Sequence, residues 1–238
     1  MAYSQHLKKL TFVTLLALIS AEIFYFYISM LKSSVTTISI ILIRDYNLTA
    51  PDLSVIVSAF YVTALLLKLP AGVIVDRYGP KYPLLIAIIL SALGALMFSQ
   101  SEHILMFSIS RAFMAIGYSC SLLAAVKILA KYLPQRLYAL LIGTTLFCGY
   151  LGASFAGYPL SKLVSIYTWD HVFISISIVG VVLAILLFIS LENKNNKIPG
   201  EKHTLIEKIK QSFDLLKNPQ IIILALFTGI LLSGAVGI

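Results

Sequence analysis

The sequence predicts an all-α integral membrane protein, and three features carry that prediction. Of its 238 residues, 59% are hydrophobic and only 12% charged, against roughly a quarter charged in soluble domains, and the mean hydropathy is +0.95. The apolar residues gather into runs near the roughly 20 residues that a bilayer crossing needs. Lys and Arg concentrate in alternate breaks between those runs, a pattern that sets orientation in a membrane. The formal net charge of +8 therefore belongs to loops beside a lipid bilayer, and nucleic acid is not an expected partner.

Each run has a boundary with a physical reason. Residues 1–10 are a basic leader with His6, Lys8 and Lys9, and the first run extends from about Leu10 to Ile43. It lacks a small-residue cleavage site and exceeds a signal-peptide core, so it is a retained helix that must tilt, kink or protrude. The second span covers about Asp52 to Val75, with Thr49 or Asp52 as cap and Pro51 in its first turn. The third runs from about Tyr82 to Phe98 and the fourth from Ile104 to Leu129, followed by the basic loop Lys131–Arg136. The fifth, about Leu137 to Val164, holds Gly143, Gly149, Gly152 and Gly157-Tyr-Pro159, small residues that let helices pack closely where lipid gives little hydrophobic drive. The sixth is about Val172 to Leu191.

A polar segment then breaks the pattern. It carries Lys194, Lys197, Lys202, Lys208, Lys210 and Lys217, while Leu205, Ile206, Ile209, Phe213 and Leu216 recur at helical spacing. That predicts an amphipathic helix lying on the membrane surface. Asn218-Pro219 opens a seventh apolar run reaching Ile238. The expected organisation is a six-helix bundle over 1–191, a basic linker over 192–218 and a seventh spanning helix over 219–238. The N-terminus, the second-to-third and fourth-to-fifth loops and the linker hold most of the Lys and Arg, and the opposite loops little beyond Arg44 and Lys162. This places the N-terminus and the linker in the cytoplasm of a cell carrying the protein in its inner or plasma membrane. Cys120 and Cys148 fall inside apolar runs without a His or Asp cluster, which predicts free thiols and no metal site. No phosphate-binding loop or Ser-His-Asp grouping is present, so the protein is not expected to be an enzyme.

One polar turn is specific. Gly72-Val-Ile-Val-Asp-Arg-Tyr-Gly-Pro-Lys81 lies between the second and third spans, with Asp76 and Arg77 ending the run and Gly79-Pro80 breaking the backbone. It resembles the signature loop of the major facilitator superfamily, G-x-L-x-D-R-x-G-R-[KR]. Gly72, Asp76, Arg77, Gly79 and Lys81 match, while Ile74 and Pro80 depart from it. The resemblance implies a bundle of two inverted three-helix repeats, here the first half of a transporter with one helix of the second, the remainder of that half missing. It also implies that the turn is a cytoplasmic gate, latching and releasing during alternating access. Asp76 is expected near a helix N-terminus, where the dipole favours an anion.

Ionisable groups inside spans are costly and face cavities or partners. Glu22 and Lys32 in the first span, Lys68 in the second and Arg111 in the fourth stand out. Glu22, Tyr25, Ser29 and Lys32 share one helical stripe. In the superfamily scheme the first and fourth helices are counterparts lining a central cavity. The run from Leu31 to Asp45 is similar to the D-R-x-x-I-S-V-A-x-P stretch of the anion:cation symporter branch, with Lys32 on its Arg. That resemblance implies Lys32 and Arg111 as an anion-binding pair, with Tyr25, Glu22 and Lys68 beside them. Bland roles compete: snorkelling to an interface for Lys32 and Lys68, and a structural hydrogen-bond hub for Arg111. Arg111 starts an R-x-x-x-G-x-G pattern kept at Gly117 and lost at Ala115.

The expected function is secondary transport of a small polar solute, an organic anion, with no cofactor beyond a coupling ion, H+ or Na+. A proton-coupled drug or metabolite exporter is the first alternative, which the absence of a Pro after Gly149 or Gly152 disfavours. The second is a truncated chain that transports nothing alone, or a half-transporter pairing with a second copy.

Overall fold

The computed structural model describes residues 12–132 and 135–191, together with Glu207, Pro219, Gln220, Ile222, Ile223 and Phe227. The basic leader, the linker helix and most of the seventh run lie outside the described residues. The chain divides into two compact units, Met1–Asn196 and Lys197–Ile238; the positions described in the second are helical.

The first unit is helical throughout its ordered elements: α1 (Phe12–Tyr46), α2 (Ala50–Tyr78), α3 (Lys81–Ser99), α4 (Ile104–Tyr132), a 3-10 turn (Gln135–Leu137), α5 (Tyr138–Phe155), α6 (Tyr158–Ile166) and α7 (Trp169–Ser190). Among the described residues, six segments are long and apolar enough to cross a membrane, with α5 and α6 together forming one of them. Thr49 caps α2: its hydroxyl accepts from the Asp52 amide, and the Asp52 carboxylate accepts from the Thr49 amide at 2.8 Å. This reciprocal box holds α2 two residues ahead of the predicted start. Gly79 takes φ 77° at the other end, a conformation few side chains tolerate.

The fifth predicted span differs from expectation, because it is broken at Ala156-Gly157 into α5 and α6. Pro159 lacks an amide proton, and its ring collides with the carbonyl four residues back, at Phe155, where α5 stops. The Thr37 hydroxyl of α1 donates to the Ala156 carbonyl at that break.

α1 is the axis of the unit and packs along α5, α4 and α7, while α2 packs along α4, and α3 lies against α4 and α7. Among the buried apolar positions of α1, Ala17, Ala21, Phe24, Ile28, Leu31, Val35, Ile38 and Leu42 repeat in alternating steps of four and three. That is one continuous seam on a helix. Small and hydroxyl residues close the other contacts. Ser91 of α3 lies 3.1 Å from the Met114 carbonyl and accepts from the Gly117 amide of α4. Ser177 of α7 donates to the Ala92 carbonyl of α3. At the end farthest from the 76–81 turn, Tyr46, Phe98, Phe107, Trp169 and Phe173 form an aromatic cluster joining α1, α3, α4 and α7.

Candidate substrate site and gate

The helical stripe of α1 meets α5 and α4. Glu22 Oε1 lies 2.7 Å from the Thr145 hydroxyl of α5. The Tyr25 ring lies against Gly149, with the Ser29 hydroxyl beside it. One turn on, the Lys32 ammonium stands 5.6 Å from the ring centre of Tyr118 of α4. Lys68 of α2 approaches the same ring at 5.8 Å. Cation–π contacts of this kind contribute about 0.5–2 kcal/mol each. The structure thus brings Lys32 and Lys68 to one aromatic side chain, although they come from different helices. Neither is ion-paired with a carboxylate among the described residues. Tyr61 and Tyr150, both exposed, complete the surroundings of Tyr118.

Arg111 is placed differently from the two lysines. The residue is 1% exposed. Nη1 donates to the Leu31 carbonyl and Nη2 to the Lys32 carbonyl, each at 3.0 Å, and the group lies 4.5 Å from the Phe60 ring centre. The fork is occupied by the backbone of α1, so Arg111 stands behind the wall that Lys32 fronts. Of the two roles the sequence allows, this geometry has the form of the hydrogen-bond hub. By holding the carbonyl of Lys32 itself, Arg111 fixes the point on α1 from which that ammonium projects.

The 76–81 turn is tied to two helices. Asp76 Oδ1 receives the Lys127 ammonium of α4 at 2.8 Å, and the same ammonium donates to the Val75 carbonyl at 2.9 Å. Asp76 is in the last turn of α2. There the dipole disfavours a carboxylate, and Lys127 supplies the compensating charge to both Asp76 and the helix-end carbonyl. Lys81 lies over the Phe188 ring of α7 at 4.6 Å. Arg77 lies over Tyr78 with one buried nitrogen, Nη1, unpartnered among the described residues. Gly72 faces the Leu123 side chain of α4 at ordinary contact distance.

Sequence reasoning missed Tyr118 as a shared platform, Lys127 as the Asp76 partner, and Thr145 and Cys148 as neighbours of Glu22. A signal existed for Lys127: it is another ionisable residue inside an apolar run, and the rule that flagged Arg111 applies to it equally. No local spacing marks the other three.

A family model described as the Major Facilitator Superfamily matches residues 10–238. The chain belongs to the Major Facilitator Superfamily. It is 28% identical over 151 residues to the 4-hydroxybenzoate transporter PcaK of Pseudomonas aeruginosa, covering 63% of this chain and 34% of that protein. It is 25% identical over 179 residues to the hexuronate transporter of Bacillus subtilis, covering 70% and 42%. It is also 26% identical over 144 residues to human solute carrier family 2, facilitated glucose transporter member 12, covering 59% and 23%. Among solved structures, a bacterial homologue of the human lysosomal transporter Spinster, in an inward-facing and unoccupied conformation, superposes with a TM-score of 0.68 at 16% identity. That match covers 84% of this chain and 49% of the other, and it shows the fold. The chain thus spans less than half the length of these relatives.

Proposed function

We propose that this chain supplies the first half of a secondary transporter for a small organic anion, working by alternating access. The observation that carries the proposal is the pair of ammonium groups, Lys32 and Lys68, brought from two helices to one tyrosine ring without a carboxylate of the described residues to neutralise them. Like charges brought near one another repel, and an anion between them relieves that repulsion. The ring adds a flat apolar surface suited to an aromatic or cyclic substrate body. That chemistry agrees with relatives named for 4-hydroxybenzoate and hexuronate. Tyr25 lines the approach to the ring, Arg111 positions α1, and the 76–81 turn with Lys127 forms the gate.

The test is uptake of radiolabelled benzoate and 4-hydroxybenzoate by cells expressing the full-length protein. Lys32→Ala and Lys68→Ala should each reduce uptake at least tenfold while the amount of protein in the membrane is unchanged. Uptake within twofold of the parent in both variants overturns the anion site.

A further inference from the structure

α1, the break between α5 and α6, and α7 enclose a groove of about 730 Å3. Tyr27 and Met30 of α1 and Ile176 and Leu183 of α7 are its buried floor, and Phe155, Leu163 and Val179 its partly exposed rim. Its interior offers little to a polar ligand. The Tyr27 hydroxyl donates to the Ile176 carbonyl at 3.2 Å and the Ser175 hydroxyl to the His171 carbonyl at 2.9 Å, so both hydrogens are already committed inside the protein. An extended peptide or a sugar placed there would lose hydrogen bonds to water that nothing replaces; an alkyl chain loses none. From His171 to Leu183 the groove follows α7 for roughly 18 Å at about 1.5 Å per residue. One leaflet contributes about 15 Å of hydrocarbon, half the thickness of a bilayer core. The groove thus has the depth of one lipid chain in one leaflet.

At the His171 end the groove meets a second cavity, of about 510 Å3, and Tyr167 lines both. This one is polar: Arg44, Asp45 and Asp170 border it together with Ser165 and Thr168. Arg44 and Asp45 pair with each other at 2.7 Å, and no Lys or Arg of the described residues pairs with Asp170. The nearest ring nitrogen to that carboxylate is His171 Nδ1 at 3.6 Å, which also contacts the Thr168 hydroxyl at 2.5 Å. Lys162 of α6 lines neither cavity. With His171 neutral, two carboxylates stand against one guanidinium, a balance that favours a cationic group over an anionic one. Tyr158 and Tyr167, both exposed, mark this end as the level where aromatic side chains gather at a membrane surface.

We propose that the groove holds one acyl chain of an amine-bearing zwitterionic phospholipid, a phosphatidylethanolamine, from the leaflet at the Trp169 end. Its headgroup lies in the polar cavity, with the ammonium at Asp170 and the phosphate beside Arg44. Phe155 and Leu160, on either side of the α5–α6 break, both face the groove, so the chain fills the space beside that break and packs α6 onto α1 and α7. It is a packing element of the fold, not cargo. None of Lys32, Lys68 and Tyr118 lines the groove, so the lipid site stands whether or not the protein carries anions.

The test is photo-crosslinking of the full-length protein in phosphatidylglycerol liposomes containing a trace of phosphatidylethanolamine with a diazirine near the end of one acyl chain, followed by peptide mapping. Label should fall on the groove residues of α1, α6 and α7, at least fivefold above that from a matching photoreactive phosphatidylglycerol. Val179→Trp, which fills the groove from its rim, should cut that labelling at least fivefold. Val181→Trp, about as exposed on the same helix but lining neither cavity, should leave it unchanged. Asp170→Asn should bring the two lipids within twofold of each other. Should Val179→Trp be lost from the membrane, Leu163→Trp on α6 supplies the same readout. Label spread evenly over the lipid-facing spans, or indifferent to both tryptophans, is ordinary boundary lipid and overturns the site. An unlabelled groove means that another part of the transporter covers it, and also overturns the site. Equal labelling by the two lipids in wild type overturns the assignment of the amine to Asp170.

Discussion

Arg111 and Lys32 differ in what their charges touch, and that difference makes their roles separable. The Arg111 fork is filled by two carbonyls of α1, and no carboxylate of the described residues pairs with it. A lysine there would keep a buried charge yet could not reach both carbonyls in a planar fork. Arg111→Lys should therefore lower stability by about 3–5 kcal/mol, the range for a buried charge losing a partner. Arg111→Met removes the charge at similar volume and should remain within about 1.5 kcal/mol of wild type. Thermal unfolding in detergent checks the order; a stable Lys variant beside a collapsed Met variant would return Arg111 to a charge-based role. The sequence identified both residues as intramembrane charges, because an Arg or Lys in an apolar run is conspicuous. It left their roles open, since which side of α1 each occupies depends on α4 and α2, tens of residues away. Tyr118 and Thr145 were illegible for the same reason: a tyrosine or threonine in a span is ordinary until another helix brings a charge to it.

At the scale of helices, α1 and α5 meet so closely at Gly152 that an added Cβ would collide with the Phe26 carbonyl oxygen, part of the α1 backbone. Backbone cannot step aside as a flexible side chain can. Gly143, earlier on the same helix, has nothing within 4 Å of such a Cβ. Gly152→Ala should cost about 1–3 kcal/mol, as overpacking does, while Gly143→Ala should stabilise by up to about 1 kcal/mol through helix propensity. Opposite shifts in unfolding temperature would establish that contact as the constraint on α5; equal shifts would discard it. The glycine content of this span did signal close packing. The break at Ala156-Gly157 was not read from the same letters, although Pro159 specifies it, because Gly157-Tyr-Pro159 also fits an unbroken, tightly packed helix. The existence of the six described spans was legible from apolar length, and a cap at Thr49 or Asp52 from their Pro-Asp context, which the structure assigns to Thr49.

Across the six described spans, burial is uneven. The most apolar windows of α1, α3, α4 and α7 are 44–56% buried, whereas those of α2 and of α5 with α6 are 17% and 22%. α2 and α5 therefore present the unit's open face, with Leu65, Leu66, Phe147 and Leu151 on it. Lys68 is exposed on the same helix as two of them. The Asp76–Lys127 pair closes one end, and the aromatic cluster around Trp169 closes the other. Which end meets the cytoplasm follows from charge. The loop at residues 76–81 and the loop around Arg136 are basic, while the connection Gln100–His103 carries no Lys or Arg. Moving such cationic loops across a membrane is opposed during insertion, so the Arg136 end should be cytoplasmic. On a Cys120→Ser, Cys148→Ser background, Gln100→Cys should react with a membrane-impermeant maleimide in intact cells. Arg136→Cys should react only after permeabilisation. Both positions are exposed in the structure, so access is set by the membrane alone. The reverse labelling would invert the molecule and place the Asp76–Lys127 pair on the outer side.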